Sequence, residues 1–223
     1  LFFAENLKIF FERSRLSDQD FASTMGINTE LLNHFLSGKI IPDANTLLLL
    51  STIFKISIDA LLKGKFRNLP EMEIRMLVID VDGVMTDAGM YFSDSGDEIK
   101  KFNARDGRAI IHIMKLGIEV AFLSSGLKKT AVINRAERLG VKRVFVGRDR
   151  KEDILAKWQA ETAIPFSSIA YIGDDTNDLG AMQLCGFTAC PSDAAIEVIE
   201  ICSVVMTKRG GEGCVREFCD CFF

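Results

Sequence analysis

Beyond Arg75 the chain keeps one rhythm: a short run of aliphatic, β-branched and aromatic residues, then a stretch of helical length, then another run. The runs fall at 75–81, 118–123, 143–146, 169–172, 186–189 and 203–206. The segments between and after them, at 107–116, 128–139, 149–162, 177–184, 193–199 and 213–222, carry helical patterning. Parallel strands need long crossovers, usually helices, so this alternation implies a parallel sheet covered on both faces. The expected fold class is α/β, a doubly wound Rossmann-like sheet. In such sheets ligands bind beyond the carboxyl ends of the strands.

Polar motifs fall at those ends. In Leu77 to Asp87, "LVIDVDGVMTD", an apolar run leads straight into Asp80 and Asp82, with Gly83 next. Like charges this close are costly wherever water is excluded, so the pair calls for a compensating positive charge. Ser124, Ser125 and Gly126 follow "IEVAFL", Lys151 opens the helix after "VFVGRDR", and "GDDTND" (Gly173 to Asp178) follows "IAYI".

These motifs, in this order and each at a strand end, resemble the haloacid dehalogenase-like superfamily of phosphohydrolases over about 75–223. The resemblance implies that Asp80 attacks phosphorus to form an aspartyl phosphate, splitting a hard hydrolysis into two easier steps. It makes Asp82 the general acid and then the general base. It implies Mg2+ held by Asp80, the Asp82 carbonyl and Asp174, with Asp175 and Asp178 as lesser ligands or orienting groups. Ser124 would hydrogen-bond the phosphoryl oxygens and Lys151 would neutralise charge developing in transfer. Superfamily dehalogenases lack the second aspartate and transporting ATPases carry DKTGT, so "DVDGV" favours phosphate ester hydrolysis.

The gaps from Asp82 to Ser124 and from Ser124 to Lys151 leave no room for a folded cap beside the crossover helix. The first instead holds "GMYFSDSGDEIKKFNARDG", a β-hairpin signal. That hairpin and "KRGGEGCVREFCD" resemble the capless phosphatases of 3-deoxy-D-manno-octulosonate 8-phosphate and of nonulosonate 9-phosphates. By that resemblance Arg105, Asp106 and Gly107 match an "RDG" after the hairpin, and Lys208 to Gly211 match a loop near the substrate. Ser125, Gly126, Arg105, Arg209 and Gly210 are then the expected substrate-binding residues, an arginine suiting a sugar-acid carboxylate. The resemblance also implies a homotetramer assembled through the hairpins, a neighbouring subunit covering each open site. Where octulosonate enzymes usually place Arg and nonulosonate enzymes often Glu, this chain has Gly126 and then Leu127.

Residues 1–64 follow a different pattern, a succession of short helices. Ser17 with Asp20 approaches a capping box, Gly26 ends that helix, Asn28 caps the next, and Ser57 caps a last turn. The segments "LSDQDFASTMGI", "LSGKIIPDANTLLLLSTIFKIS" and "IDALL" resemble the Xre/Cro/phage-repressor helix-turn-helix domains. This implies a recognition helix from about Asn28 to Ser37, with Thr29, Glu30, Asn33 and His34 facing DNA bases. Acidic and basic residues balance in this segment, whereas DNA-binding domains are usually basic. The expected organisation is therefore a helix-turn-helix domain at 1–64, a linker at 65–74 and a phosphatase domain at 75–223.

A net charge of −4 gives no general electrostatic reason to bind nucleic acid. Apolar runs such as Leu47 to Leu50 are far too short to cross a bilayer. The opening "LFFAENLKIFFERSR" is broken by Glu5, Lys8 and Glu12, unlike a signal peptide. Cys185, Cys190, Cys202, Cys214, Cys219 and Cys221 lack the paired spacing of structural zinc sites and are expected as reduced, packed thiols in a cytoplasmic protein. The expected function is a magnesium-dependent phosphomonoesterase acting on a sugar-acid phosphate. The alternative is a DNA-binding transcription regulator whose phosphatase-like domain senses a phosphorylated sugar, although a sensor gains nothing from keeping both Asp80 and Asp82. A phosphatase for another small metabolite fits the motifs equally well.

Overall fold

The structure, a computed structural model, describes residues 2–54, 58–66 and 73–223. The chain divides into two compact units, Leu1–Leu69 with Asp220–Phe223, and Pro70–Cys219.

The first unit holds α1 (Phe3–Ser14), α2 (Asp18–Thr24), α3 (Thr29–Leu36), α4 (Ala44–Phe54) and α5 (Ile58–Lys63), then a two-residue strand β1 (Lys65–Phe66). The caps follow the sequence. The Ser17 hydroxyl accepts the Asp20 N–H at 3.2 Å and donates to the Asp20 carboxylate at 2.7 Å. Asn28 Oδ1 accepts the Leu31 N–H at 2.8 Å, and Gly26 takes the turn between α2 and α3 at φ +65°. Leu7, Phe10, Phe21, Leu32, Phe35 and Leu50 are buried, with the Phe10 and Phe54 rings stacked at 4.1 Å. Asn6, fully buried, donates to the carbonyls of Leu61 and Gly64 and accepts the Phe66 N–H, fastening α1 to the end of the unit. The cap expected at Ser57, and 67–72 of the expected linker, lie outside the described residues.

The second unit is an α/β sheet. Its strands are β2 (Met76–Ile79), β5 (Glu119–Ser124), β6 (Arg143–Val146), β7 (Ile169–Ile172), β8 (Phe187–Cys190) and β9 (Val204–Val205), with a separate hairpin, β3 (Tyr91–Phe92) and β4 (Glu98–Ile99). The sheet order is β9-β8-β7-β2-β5-β6, and every pairing within it is parallel. Strand order therefore reverses between β2 and β7, and a crevice opens at such a switch point. Val78 of β2 lies opposite Ala121 on one side and Tyr171 on the other, and all four β2 residues are buried. This double burial explains the unbroken apolar run before Asp80.

Helices α6 (Ala104–Lys115), α7 (Thr130–Leu139), α8 (Lys151–Thr162), α9 (Leu179–Leu184), α10 (Ile196–Ile201) and α11 (Cys214–Phe222) complete the alternation. The starts of α6 and α10 differ most from expectation, by three residues each. Helix α6 begins earlier because Asn103 caps it, accepting the Arg105 N–H at 2.8 Å. Helix α10 begins later because the preceding turn is engaged elsewhere: Asp193 accepts the Gly210 N–H, and Ala195 donates to the Asp174 carbonyl. No cap domain is inserted; β2 and β5 are separated by the hairpin and α6, and β5 and β6 by α7. The hairpin pairs Tyr91 with Ile99 and exposes Met90, Tyr91, Phe92 and Ile99. Five of the six cysteines are buried. Among the described residues no helix is long and apolar enough to cross a membrane.

Asp106 ties α6 to α11. Its Oδ1 accepts the Arg216 N–H at 2.7 Å, while its Oδ2 is buried without a partner. Burial pushes this carboxyl up to about 6, against the pull of the Arg216 N–H and of the Arg135 and Arg216 charges. A folded-state value above the ordinary 3.8 penalises the ionised native form, so stability falls as pH rises from about 4 through about 6. Asp106→Asn keeps an acceptor without the charge. Relative to wild type it should gain about 2 kcal/mol on going from pH 4 to pH 8, read by denaturant unfolding at both pH values.

Candidate active site

Asp80 follows β2 directly and is 4% exposed; its N–H bonds to the Ile172 carbonyl at 2.9 Å, so the sheet itself fixes its backbone. The chain then turns through Gly83 at φ +92°. A Cβ at Gly83 would lie 1.9 Å from the Asp174 carboxylate, so only glycine lets the two acidic loops approach.

Lys151, the first residue of α8, enters from the other side and is 3% exposed. Its ammonium donates to Asp80 Oδ1 at 2.7 Å and to Asp178 Oδ1 at 2.6 Å. Asp178 is fully buried and saturated: Oδ1 also accepts the Tyr171 hydroxyl at 2.6 Å, and Oδ2 accepts the N–H groups of Asp174 and Asp175 at 3.1 and 3.3 Å. Asp175 is exposed and accepts the Thr176 N–H. Asp82 has one oxygen on the Lys100 ammonium, while the other accepts the Ser124 hydroxyl at 3.2 Å. The Gly126 N–H returns to Ser124 Oγ at 3.1 Å, and the Asn177 side chain donates to the Ser125 hydroxyl at 3.2 Å.

The electrostatics follow from burial. Asp80 is pushed well above the usual carboxylate range by burial and then by the Asp178 charge, with Lys151 pulling the other way. Burial pushes Asp174 up to about 7. Burial also works against the Lys151 charge, but Asp80 and Asp178 outweigh it and hold the ammonium above its ordinary value. Asp80, Asp174 and Asp178 offer oxygens within 4.8 Å of one another, and Asp174 Oδ1 is buried without any donor. An orphaned carboxylate oxygen beside a second carboxylate fits a small, hard cation such as Mg2+. Because both Asp178 oxygens are taken by donors, Asp80 and Asp174 are the side chains free to ligate, and Asp178 orients.

A cavity of about 390 Å³ opens over these groups, lined among others by Asp80, Asp82, Glu98, Lys100, Gly126 and Asp174. The expected substrate residues divide. Ser125 and Gly126 line the cavity; Arg105, Arg209 and Gly210 are not among the described residues that line it. Arg105 is exposed on α6, and Arg209 donates to the Asp193 carboxylate at 3.2 Å. Gly210 lies under the catalytic loop, where a Cβ would come 1.8 Å from the Gly83 carbonyl oxygen, and Gly211 donates its N–H to the Val84 carbonyl at 2.9 Å. The Lys208–Gly211 loop thus braces the Asp80 turn from below. Sequence reasoning missed Lys100. Its signal was the alternation Glu98-Ile99-Lys100, which puts Glu98 and Lys100 on one face of the hairpin strand.

A capless parallel sheet with Asp80, Asp82, Ser124, Lys151 and Asp174 gathered at its switch point defines a haloacid dehalogenase-like phosphohydrolase. No family model matches the chain. It is 36% identical over 147 residues, 66% of its own length and 81% of the relative's, to 3-deoxy-D-manno-octulosonate 8-phosphate phosphatase KdsC of Haemophilus influenzae. The cobalt-bound structure of that phosphatase from Haemophilus influenzae superposes with a TM-score of 0.64 at 35% identity, over 66% of this chain and 86% of the other. The Moraxella catarrhalis enzyme, in complex with magnesium ion, phosphate ion and KDO, superposes with a TM-score of 0.63 at 32% identity, over 66% and 83%. The chain belongs to the 3-deoxy-D-manno-octulosonate 8-phosphate phosphatase family.

Gly210→Ala should lower both the melting temperature and turnover, because the clash is with backbone rather than with a side chain that can swing aside. Thermal melts and phosphate release on the same preparation check this.

Proposed function

We propose that the protein hydrolyses the phosphate monoester of a sugar acid of the 3-deoxy-D-manno-octulosonate 8-phosphate or nonulosonate 9-phosphate type, with Mg2+ as cofactor. The observation that carries this reading is the Lys151 bridge between Asp80 and Asp178 beside the donor-free oxygen of Asp174. It leaves a nucleophile, a fixed positive charge and a cation position at one strand end. The kinship with enzymes named for the octulosonate ester supplies the substrate class.

In this reading Asp80 attacks phosphorus: an Asp80 oxygen–phosphorus bond forms as the bond from phosphorus to the sugar oxygen breaks. Asp82 gives the leaving oxygen its proton, then takes one from the water that attacks the aspartyl phosphate, releasing phosphate and restoring Asp80. Lys151, Ser124 and the backbone N–H groups beyond β5 hold the phosphoryl oxygens, while Asp175 and Asp178 keep the Asp174 loop in place. Mg2+, held by Asp80, Asp82 and Asp174, supplies neutralisation of the gathered negative charge. The regulator alternative gains no support from the Haemophilus influenzae and Moraxella catarrhalis proteins compared above, which are phosphatases by name.

The exposed apolar residues of the hairpin, with Met90 at 70% exposure and Phe92 at 59%, support the tetramer that the resemblance to capless phosphatases implies, since an open site must exclude water by other means. For the first unit we propose the helix-turn-helix role, with α3 as recognition helix: Thr29, Glu30 and Asn33 are exposed and His34 is half-buried. A gel shift that weakens steeply with salt supports it, and no shift at low salt refutes it. Five cysteines packed in the interior support a cytoplasmic setting for this reading.

Asp80→Asn should abolish phosphate release with an unchanged circular dichroism spectrum; normal turnover in that variant removes Asp80 as nucleophile. Chelation should stop turnover, and added Mg2+ should restore it. Because Asp174 holds its proton up to about pH 7 without metal, binding must displace that proton. Mg2+ affinity should therefore rise as pH increases through about 7, which calorimetric titrations at pH 6 and pH 8 would show.

A further inference from the structure

We propose that Lys100, the residue that follows hairpin strand β4, binds the carboxylate of the substrate and so selects sugar acids over neutral sugar phosphates. The inference rests on the sugar-acid reading above and assigns the residue that enforces it. The cavity is walled by Asp80, Asp82, Glu98, Asp174 and Asp175, and among the described residues that line it Lys100 is the one cation. A sugar-acid phosphate brings two anionic ends into this acidic space. The phosphoryl end has Lys151, the metal position and the strand-end N–H groups. The carboxylate end would meet repulsion unless a positive charge received it.

Lys100 has the means. Its side chain is 7% exposed and its ammonium is held between Asp82 and Glu98. An ammonium carries three N–H donors, and these two carboxylates take one each, leaving a third for an acceptor in the cavity. A carboxylate can therefore bind without displacing either partner. The residues that the sequence offered are placed elsewhere: Arg209 is on Asp193, Arg105 is exposed on α6, and Gly126 and Leu127 bring no charge after Ser124; Lys128, Arg135 and Arg138 line the adjoining cavity, which shares Glu98 and Lys100 with this one.

The test compares kcat/KM for 3-deoxy-D-manno-octulosonate 8-phosphate and for glucose 6-phosphate in wild type, Lys100→Met, Lys100→Gln and Lys100→Arg. Loss of one charge-assisted hydrogen bond should cut the acid-to-neutral ratio by roughly ten- to a hundredfold in the Met and Gln variants, chiefly through KM for the acid. Lys100→Arg should restore most of the ratio, which a merely structural role for the ammonium would not require. Both substrates are assayed on one preparation, so the ratio does not depend on the folded fraction, and Gln, which keeps polar contacts to Asp82 and Glu98, serves if Met does not fold. A wild type that prefers the acid, with Met and Gln variants that keep that preference, overturns the role of Lys100 and leaves the sugar-acid reading standing. A wild type without preference for the acid overturns the reading, and the Lys100 assignment with it.

Discussion

One buried ammonium organises the catalytic end of the sheet. Lys151 joins the end of β2 to the loop after β7, so the two strands on either side of the topological switch are locked through a single cation. Buried charges are costly, and this one is tolerated because every group around it is answered: Asp178 by four donors, Asp80 by Lys151 and the sheet. Asp174 Oδ1 is the exception within this network. The network is closed around one unsatisfied oxygen, and that defect is where the chemistry needs a cation.

Glycine sets how close these charged loops can come. Gly83 against Asp174 and Gly173 against Asp178 are contacts that no Cβ would allow. The ordering is physical: the sheet fixes Asp80, the glycines let the acidic loop approach, and Lys151 balances what has been gathered. Asp82 stands apart, in contact with Ser124 and with the hairpin through Lys100, so Asp82 is linked to the flap and Asp80 to the core.

Much of the α/β unit was legible because its central strands are buried on both faces and therefore read as continuous apolar runs; the runs at 169–172 and, on the half-buried edge strand, at 143–146 agree with the structure to the residue. Asp80, Ser124, Lys151 and Asp174 were legible for the same reason, since each stands just where a strand ends or a helix begins. What escaped was mostly tertiary. The Asp193 turn is held by Gly210, distant in sequence, whereas the cap at Asn103 before "ARDG" is local, asparagine being a favoured N-cap residue, and was passed over. Arg209 looked like a ligand for an anion because an arginine in a glycine-rich loop has that appearance, yet a carboxylate of its own chain already holds it. Lys100 was overlooked because a two-residue strand carries too little pattern to show which way its side chains face.

The brace beneath the catalytic turn has a temporal consequence. Gly210 and Gly211 press on the backbone of Gly83 to Asp87, so the first of the four motifs to leave the ribosome is supported by a loop that follows all of them. Such a long-range contact closes late. A growing chain, or one severed before Lys208, carries all four motifs and can pair its central strands, but it holds Asp80 on an unsupported turn. Competence is thus deferred until the brace itself has been made.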